Sequence, residues 1–131
     1  MANTGKSGRP LSPHLQIYRR TLTMMMSIMH RATGIALYAG TLLLVWWLTA
    51  AATSDAYFDM VQGVFGSWIG QIVLFGFTWA LVHHAAGGIR HLIWDTGRGF
   101  DLVSVEASAR IALASSIIIT IALWAFAYGV M

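Results

Sequence analysis

Long uncharged apolar stretches alternate along this chain with short polar ones. Gly34 to Ala52, Met60 to Val82 and Ile111 to Met131 contain no Asp, Glu, Lys or Arg. A helix of roughly 20 residues crosses the hydrocarbon core of a bilayer at 1.5 Å per residue, and each stretch is about that long. Lipid offers the backbone no hydrogen-bond partner, so each stretch is read as helical. The pattern predicts an all-α membrane protein with three transmembrane helices, over about 21–52, 60–94 and 104–130. Residues 1–20 form a polar N-terminal segment, and residues 21–131 form one three-helix domain. Thr21 is placed to cap the first helix, and Thr96-Gly97-Arg98-Gly99 reads as a stop and turn after the second. Trp46, Trp47, Trp68 and the Tyr57–Phe58 pair mark one membrane interface as an aromatic belt, and Trp94 marks the other.

Composition agrees with this pattern. Of 131 residues, 57% are hydrophobic and 10% charged, where a water-soluble domain carries about 25% charged residues. The net charge of +3 is distributed by topology. Lys6, Arg9, Arg19, Arg20 and Arg31 precede or open the first span, and Arg90, Arg98 and Arg110 lie between the second and third. The loop around Asp55 and Asp59 has no Lys or Arg, and neither has the C-terminus. By the positive-inside rule the N-terminus and second loop face the cytoplasm or an organelle's matrix, and the C-terminus faces the other side. The basic residues are thus a topology signal and not a nucleic-acid surface. The chain has no cysteine, so it forms no disulfide and supplies no thiolate to an iron–sulfur cluster. Its first twenty residues lack the apolar core of a signal peptide, and the lack of a long Arg/Ser-rich transit segment favours a bacterial or organelle-encoded product.

Small residues recur at helix-contact spacing, with Gly63, Gly66 and Gly70 expected on one face of the second helix. Ala32, Ala36, Ala39 and Gly40 are expected on one side of the first, where they let backbones approach in lipid.

Polar residues within or beside spans need a reason. Ser27, His30, Arg31 and Gly34 share one face of the first helix, and His84, Gly87, Gly88, His91 and Asp95 share one face of the second. Both faces lie toward the cytoplasmic end and point to a shared site. His84 sits about 9 Å inside Arg90 along the helix axis. Beside it, Ala85, Ala86, Gly87 and Gly88 give the clearance that a flat macrocycle needs while an imidazole binds its iron. The alternative is a histidine that only bonds another helix. His83 points about 100° away and is read as packing or a polar contact to another helix. A second axial ligand could be His30 or come from another subunit, and spacing does not choose. Ser27 and Arg31, one turn apart, suit the carbonyl oxygens of a quinone, with Arg31 stabilising negative charge on the reduced oxygen; otherwise Arg31 snorkels to phospholipid and Ser27 packs. Asp95, near Arg90 and His91, is a candidate for proton delivery or for a charge pair.

Three stretches together resemble one family. Arg9-Pro10-Leu11-Ser12-Pro13-His14-Leu15-Gln16-Ile17-Tyr18 resembles the N-terminal signature of the cytochrome b anchor subunits of succinate dehydrogenase. Ser27-Ile28-Met29-His30-Arg31-Ala32-Thr33-Gly34 resembles their S-x-x-H-R-x-T-G motif, and His84 to Asp95 resembles H-x-x-x-G-x-R-H-x-x-x-D. The resemblance implies half of a heterodimeric membrane-anchor bundle in the bacterial inner membrane, or the mitochondrial one if organelle-encoded. It implies haem b with His84 as an axial iron ligand and the other ligand from a companion anchor subunit. His30 then lies near the haem propionates, Ser27 and Arg31 line a ubiquinone pocket, and His91 and Asp95 belong to the motif. The implied partners are that second anchor, an iron–sulfur subunit and a flavoprotein subunit. Electrons from succinate reach quinone through the partners' clusters, and this chain carries neither iron–sulfur cluster nor flavin and is not catalytic by itself. The anchor of a related fumarate reductase, and a small transporter subunit relaying protons through the His/Arg/Asp cluster, are the alternatives.

Overall fold

The computed structural model describes residues 19–130. The Arg9–Tyr18 signature therefore lies outside the described residues. The order is α1 Leu22–Thr53, α2 Asp55–Gly66, α3 Trp68–Asp95 and α4 Leu102–Val130, with no strand among the described residues. Three of the four, α1, α3 and α4, are long and apolar enough to cross a membrane. With 32 residues, α1 is about 48 Å long and outreaches a hydrocarbon core of about 30 Å.

Each start is capped by a side-chain oxygen that satisfies an orphan N–H. Thr21 Oγ1 accepts from the Met24 N–H at 3.4 Å, as the sequence leads one to expect. Ser54 Oγ accepts from Tyr57 at 3.3 Å and Ser67 Oγ from Gly70 at 3.1 Å. Asp101 Oδ1 accepts from Ser104 at 2.8 Å. Gly97 and Gly99, with φ of 78° and 74°, turn the chain between α3 and α4 in a conformation that disfavours other residues.

The helix expected over 60–94 differs in two respects. It begins at Asp55, and it is divided at Ser67, whose φ of −63° and ψ of 156° are extended. The hydroxyl both donates to the Val64 carbonyl and accepts from Gly70, which closes one helix and opens the next. Apolar composition continues across the break, so hydropathy carries no sign of it. The break also separates Gly63 and Gly66 from Gly70. The first two face open space, whereas a Cβ at Gly70 would run into the Val64 and Phe65 carbonyls. Short α2 is tied down by Trp46 Nε1 donating to Tyr57 Oη at 2.9 Å and Trp47 Nε1 donating to Gln62 Oε1 at 3.0 Å. Gln71 joins the same end to α4, donating to the Phe65 carbonyl and accepting from Tyr128.

Helix α3 packs on both α1 and α4. The interior is made of small residues, with Ala50, Ala80, Ala109, Ala112, Ser116 and Thr120 buried. Large apolar side chains point outward, including Ile35 at 72%, Tyr38 at 77% and Phe126 at 72% exposure. That inversion of a soluble core suits a bundle whose surroundings are as apolar as leucine. Of the small residues expected to pack on α1, Gly40 lies against the Phe77 ring, while Ala32, Ala36 and Ala39 are exposed.

Two outcomes test this account. Gly70→Ala should lower the stability of the assembled protein by about 1–3 kcal/mol, because backbone carbonyls cannot yield to a methyl group. Gly63→Ala should be neutral, with thermal unfolding as the measurement. At the start of α4, bonds from Ser104 hold the exposed Asp101 carboxyl below the usual aspartate range. That cap is complete above about pH 4 and is lost as pH falls through the lowered native value. Deuterium exchange in the first turn of α4 should accelerate there, and at all pH values in Asp101→Ala.

Candidate functional site

Consecutive histidines on α3 project to different helices. His84 turns toward α1 and lies on the His30 ring, centroids 3.9 Å apart and planes 8° from parallel. Two glycines make the stack possible. A Cβ at Gly34 of α1 would lie 3.1 Å from His84 Cε1, and one at Gly87 of α3 would lie 2.5 Å from His30 Nδ1. Each helix thus gives up a side chain where the other inserts a histidine, which accounts physically for a histidine–glycine spacing in both motifs. Gly87 was expected to clear space for a macrocycle and instead accommodates His30; Gly88 has open space before it.

The approach brings His84 Nδ1 to 3.0 Å from the His30 carbonyl oxygen. A carbonyl only accepts, so Nδ1 carries the proton. Thr33 Oγ1, 3.3 Å from the same nitrogen, directs its own hydrogen to the Met29 and His30 carbonyls, each at 2.9 Å. In the neutral ring, Nε2 is then the nitrogen that keeps its in-plane lone pair. This is the arrangement by which a backbone carbonyl sets the tautomer and ring orientation of a metal-binding histidine. Among the described residues no three His, Cys, Asp or Glu side chains converge on one point. A metal at His84 would have to bring most of its ligands with it, as a macrocycle does.

His83 turns the other way, toward α4. It is fully buried, stacks on Trp79 at 5.1 Å, and donates from Nδ1 to Ser116 Oγ at 3.3 Å. Arg90 follows it, buried and held by Ser108 Oγ and the Val105 carbonyl, with its guanidinium 4.8 Å from the Trp94 ring centre. The serines of α4 carry this second set of contacts, and the sequence reading missed them. Their signal is the spacing Ser108, Ala112, Ser116, Thr120, small or hydroxylated at every fourth position.

A pocket of about 90 Å³ opens between these elements, lined by Ser27, His30, His83, Gly87, Arg90 and His91 among others. His91 is exposed and tilted 5.2 Å from His30. Arg31 and Asp95 lie outside the pocket lining, exposed, with no hydrogen bond or ion pair among the described residues. The charge pair considered between Asp95 and Arg90 is not formed, because Arg90 is drawn to α4.

Comparison with known proteins gives a consistent picture. The family model described as succinate dehydrogenase/fumarate reductase transmembrane subunit matches residues 5–123. The succinate dehydrogenase cytochrome b556 subunit of Paracoccus denitrificans is 44% identical over 121 residues, which cover 92% of this chain and 93% of that one. The b556 subunit of Rickettsia typhi is 38% identical over 116 residues, 88% of this chain and 90% of that one. The mitochondrial cytochrome b560 subunit of Sus scrofa is 38% identical over 119 residues, 89% of this chain and 70% of that one.

The stack can be tested without reference to any activity. Gly87→Ala should expel the His30 ring and make the His84 ring more accessible to diethylpyrocarbonate, while Gly88→Ala should leave its reactivity unchanged.

Proposed function

Since the chain belongs to the succinate dehydrogenase/fumarate reductase transmembrane subunit family, and is a cytochrome b membrane anchor of the succinate dehydrogenase kind, we propose that it binds haem b through His84 and forms part of a ubiquinone-reduction site. The observation that carries the haem assignment is the bond from His84 Nδ1–H to the His30 carbonyl, which leaves Nε2 as an in-plane donor. His84 is only half-buried, and Gly88, one turn along α3, has open space before it.

When bound, the haem supplies a one-electron redox centre. This chain's residues hold and orient it. Thr33 and the His30 backbone fix the His84 ring. His30 is a poor choice for the opposite axial position. Its ring is stacked face to face on that of His84, so the two imidazoles would not hold one iron between them. As the family resemblance implies, a companion anchor subunit would supply the second ligand, and the haem site would be half of an interface. His91, exposed beside His30, is a candidate for contact with the haem periphery.

For quinone, Ser27 and Arg31 stand one turn apart on α1, both exposed and without partners among the described residues. Ser27 Oγ can donate to a carbonyl oxygen of the ring, and the guanidinium can stabilise charge on the reduced oxygen. Exposed Asp95 is the carboxylate of the motif and the candidate for supplying protons. The electrons come from succinate by way of an iron–sulfur and a flavoprotein subunit, and this chain contributes the anchor. Its N-terminal side and the turn over 96–101 face the cytoplasm.

Three measurements bear on this reading. The native complex should show a low-spin b-type haem spectrum, and His84→Ala should lose it while His83→Ala retains haem. Ser27→Ala and Arg31→Leu should each reduce quinone turnover by about a hundredfold or more, the value of one charge-stabilising contact in the transition state, with haem content unchanged. For orientation, the cysteine-free chain permits single probes. An impermeant maleimide should label Ala56→Cys in intact cells and leave Arg98→Cys unlabelled until the membrane is opened.

A further inference from the structure

His83 has no part in the function proposed above, although it is buried completely between α3 and α4. Its Nδ1 meets Ser116 Oγ, and Ser116 already donates its own proton to the Leu113 carbonyl at 2.8 Å. The hydroxyl oxygen can then only accept, so the His83 proton is on Nδ1 and Nε2 holds a bare lone pair. That Nε2 and His30 Nδ1 are the two buried side-chain nitrogens without a hydrogen-bond partner among the described residues. Both residues line the same pocket, whose walls also include the hydroxyl residues Thr23 and Ser27. Buried polar atoms are nearly always satisfied by protein or by ordered water, and two exceptions facing one pocket call for a shared partner.

We propose that the pocket is a site for an internal water molecule that donates to His83 Nε2 and bonds His30 Nδ1, which makes His83 a positioning residue for the His30–His84 stack. Water suits both nitrogens. It donates to the lone pair of His83 and either donates to or accepts from His30, whichever tautomer His30 adopts. The carbonyl oxygens of an oxidised quinone are acceptors and cannot satisfy His83 Nε2. A water needs on the order of 10–15 Å³ of cavity, and this pocket offers about 90 Å³. A hydroxyl of Ser27 or Thr23 would supply the third bond that buried waters usually make. The result is a continuous chain of hydrogen bonds from the Leu113 carbonyl through Ser116, His83 and water to His30. It links α4 to α1 across α3 at the level of the stack, and so limits the rotation of His30 against His84.

The positioning role rests on the haem reading; the water site does not. In a high-resolution map of the native complex, a solvent peak should lie within hydrogen-bond distance of both His83 Nε2 and His30 Nδ1. A dry pocket, or a partner side chain or quinone in that place, would overturn the proposal. His83→Phe should keep its haem but shift the g values of its low-spin electron paramagnetic resonance signal. His83→Gln, which keeps an acceptor near the position of Nε2, should restore them. An unshifted signal in His83→Phe would overturn the positioning role. A native complex without haem would refute the haem assignment instead, with the solvent peak still deciding the water site.

Discussion

Helices α1 and α3 meet at a depth where each carries a histidine that the other must accommodate. A Cβ at Gly87 would force the His30 ring to shift, and one at Gly34 would press on His84, whose Nδ1 is held to the His30 carbonyl. That one bond has three consequences. It fixes the tautomer of His84, it leaves Nε2 free as a metal ligand, and it sets the angle at which the ring leaves the bundle. The close approach of the helices, the orientation of the neighbouring Ser27 face and the pocket behind it depend on the same contact.

The rest of the bundle is arranged to tolerate that approach. A helix pair in lipid gains little from burying large apolar side chains, so small residues and interhelical polar contacts hold it together. Ala80, Ser116 and Thr120 are buried between the helices, and Ala109 and Ala112 of α4 cluster with Met26 of α1. At the opposite end, Trp46, Trp47, Gln62, Gln71 and Tyr128 bind the short α2 to the ends of the spans. The polar chemistry is therefore confined to one end, and the large outward-facing side chains are left for lipid and for the companion subunits of the complex.

Much of this was legible in the sequence because membranes impose simple rules. Uncharged length gave the three spans. The helical spacing of Ser27, His30, Arg31 and Gly34, and of His84, Gly87 and His91, placed two polar faces opposite each other. What escaped is what hydropathy does not measure. The break at Ser67 lies inside an uncharged apolar stretch, and its cause is a hydroxyl that bonds forward and back. The glycine beside His84 was read as clearance for a cofactor, yet the ring it admits comes from α1, a pairing that spacing within one helix cannot reveal. A charge pair of Asp95 with Arg90 is one of two readings of the sequence, and the structure instead holds Arg90 on Ser108 Oγ and the Val105 carbonyl of α4.

The central claim is that His84, oriented by a backbone carbonyl of its own chain, ligates a haem iron whose opposite ligand comes from a partner subunit. The coordination sphere in a high-resolution structure of the assembled, haem-loaded complex tests it most directly. The account requires iron on His84 Nε2, Nδ1 still on the His30 carbonyl, and an imidazole of the companion anchor on the far side. Iron bound by His30 or His83, or by His84 through Nδ1, would contradict it.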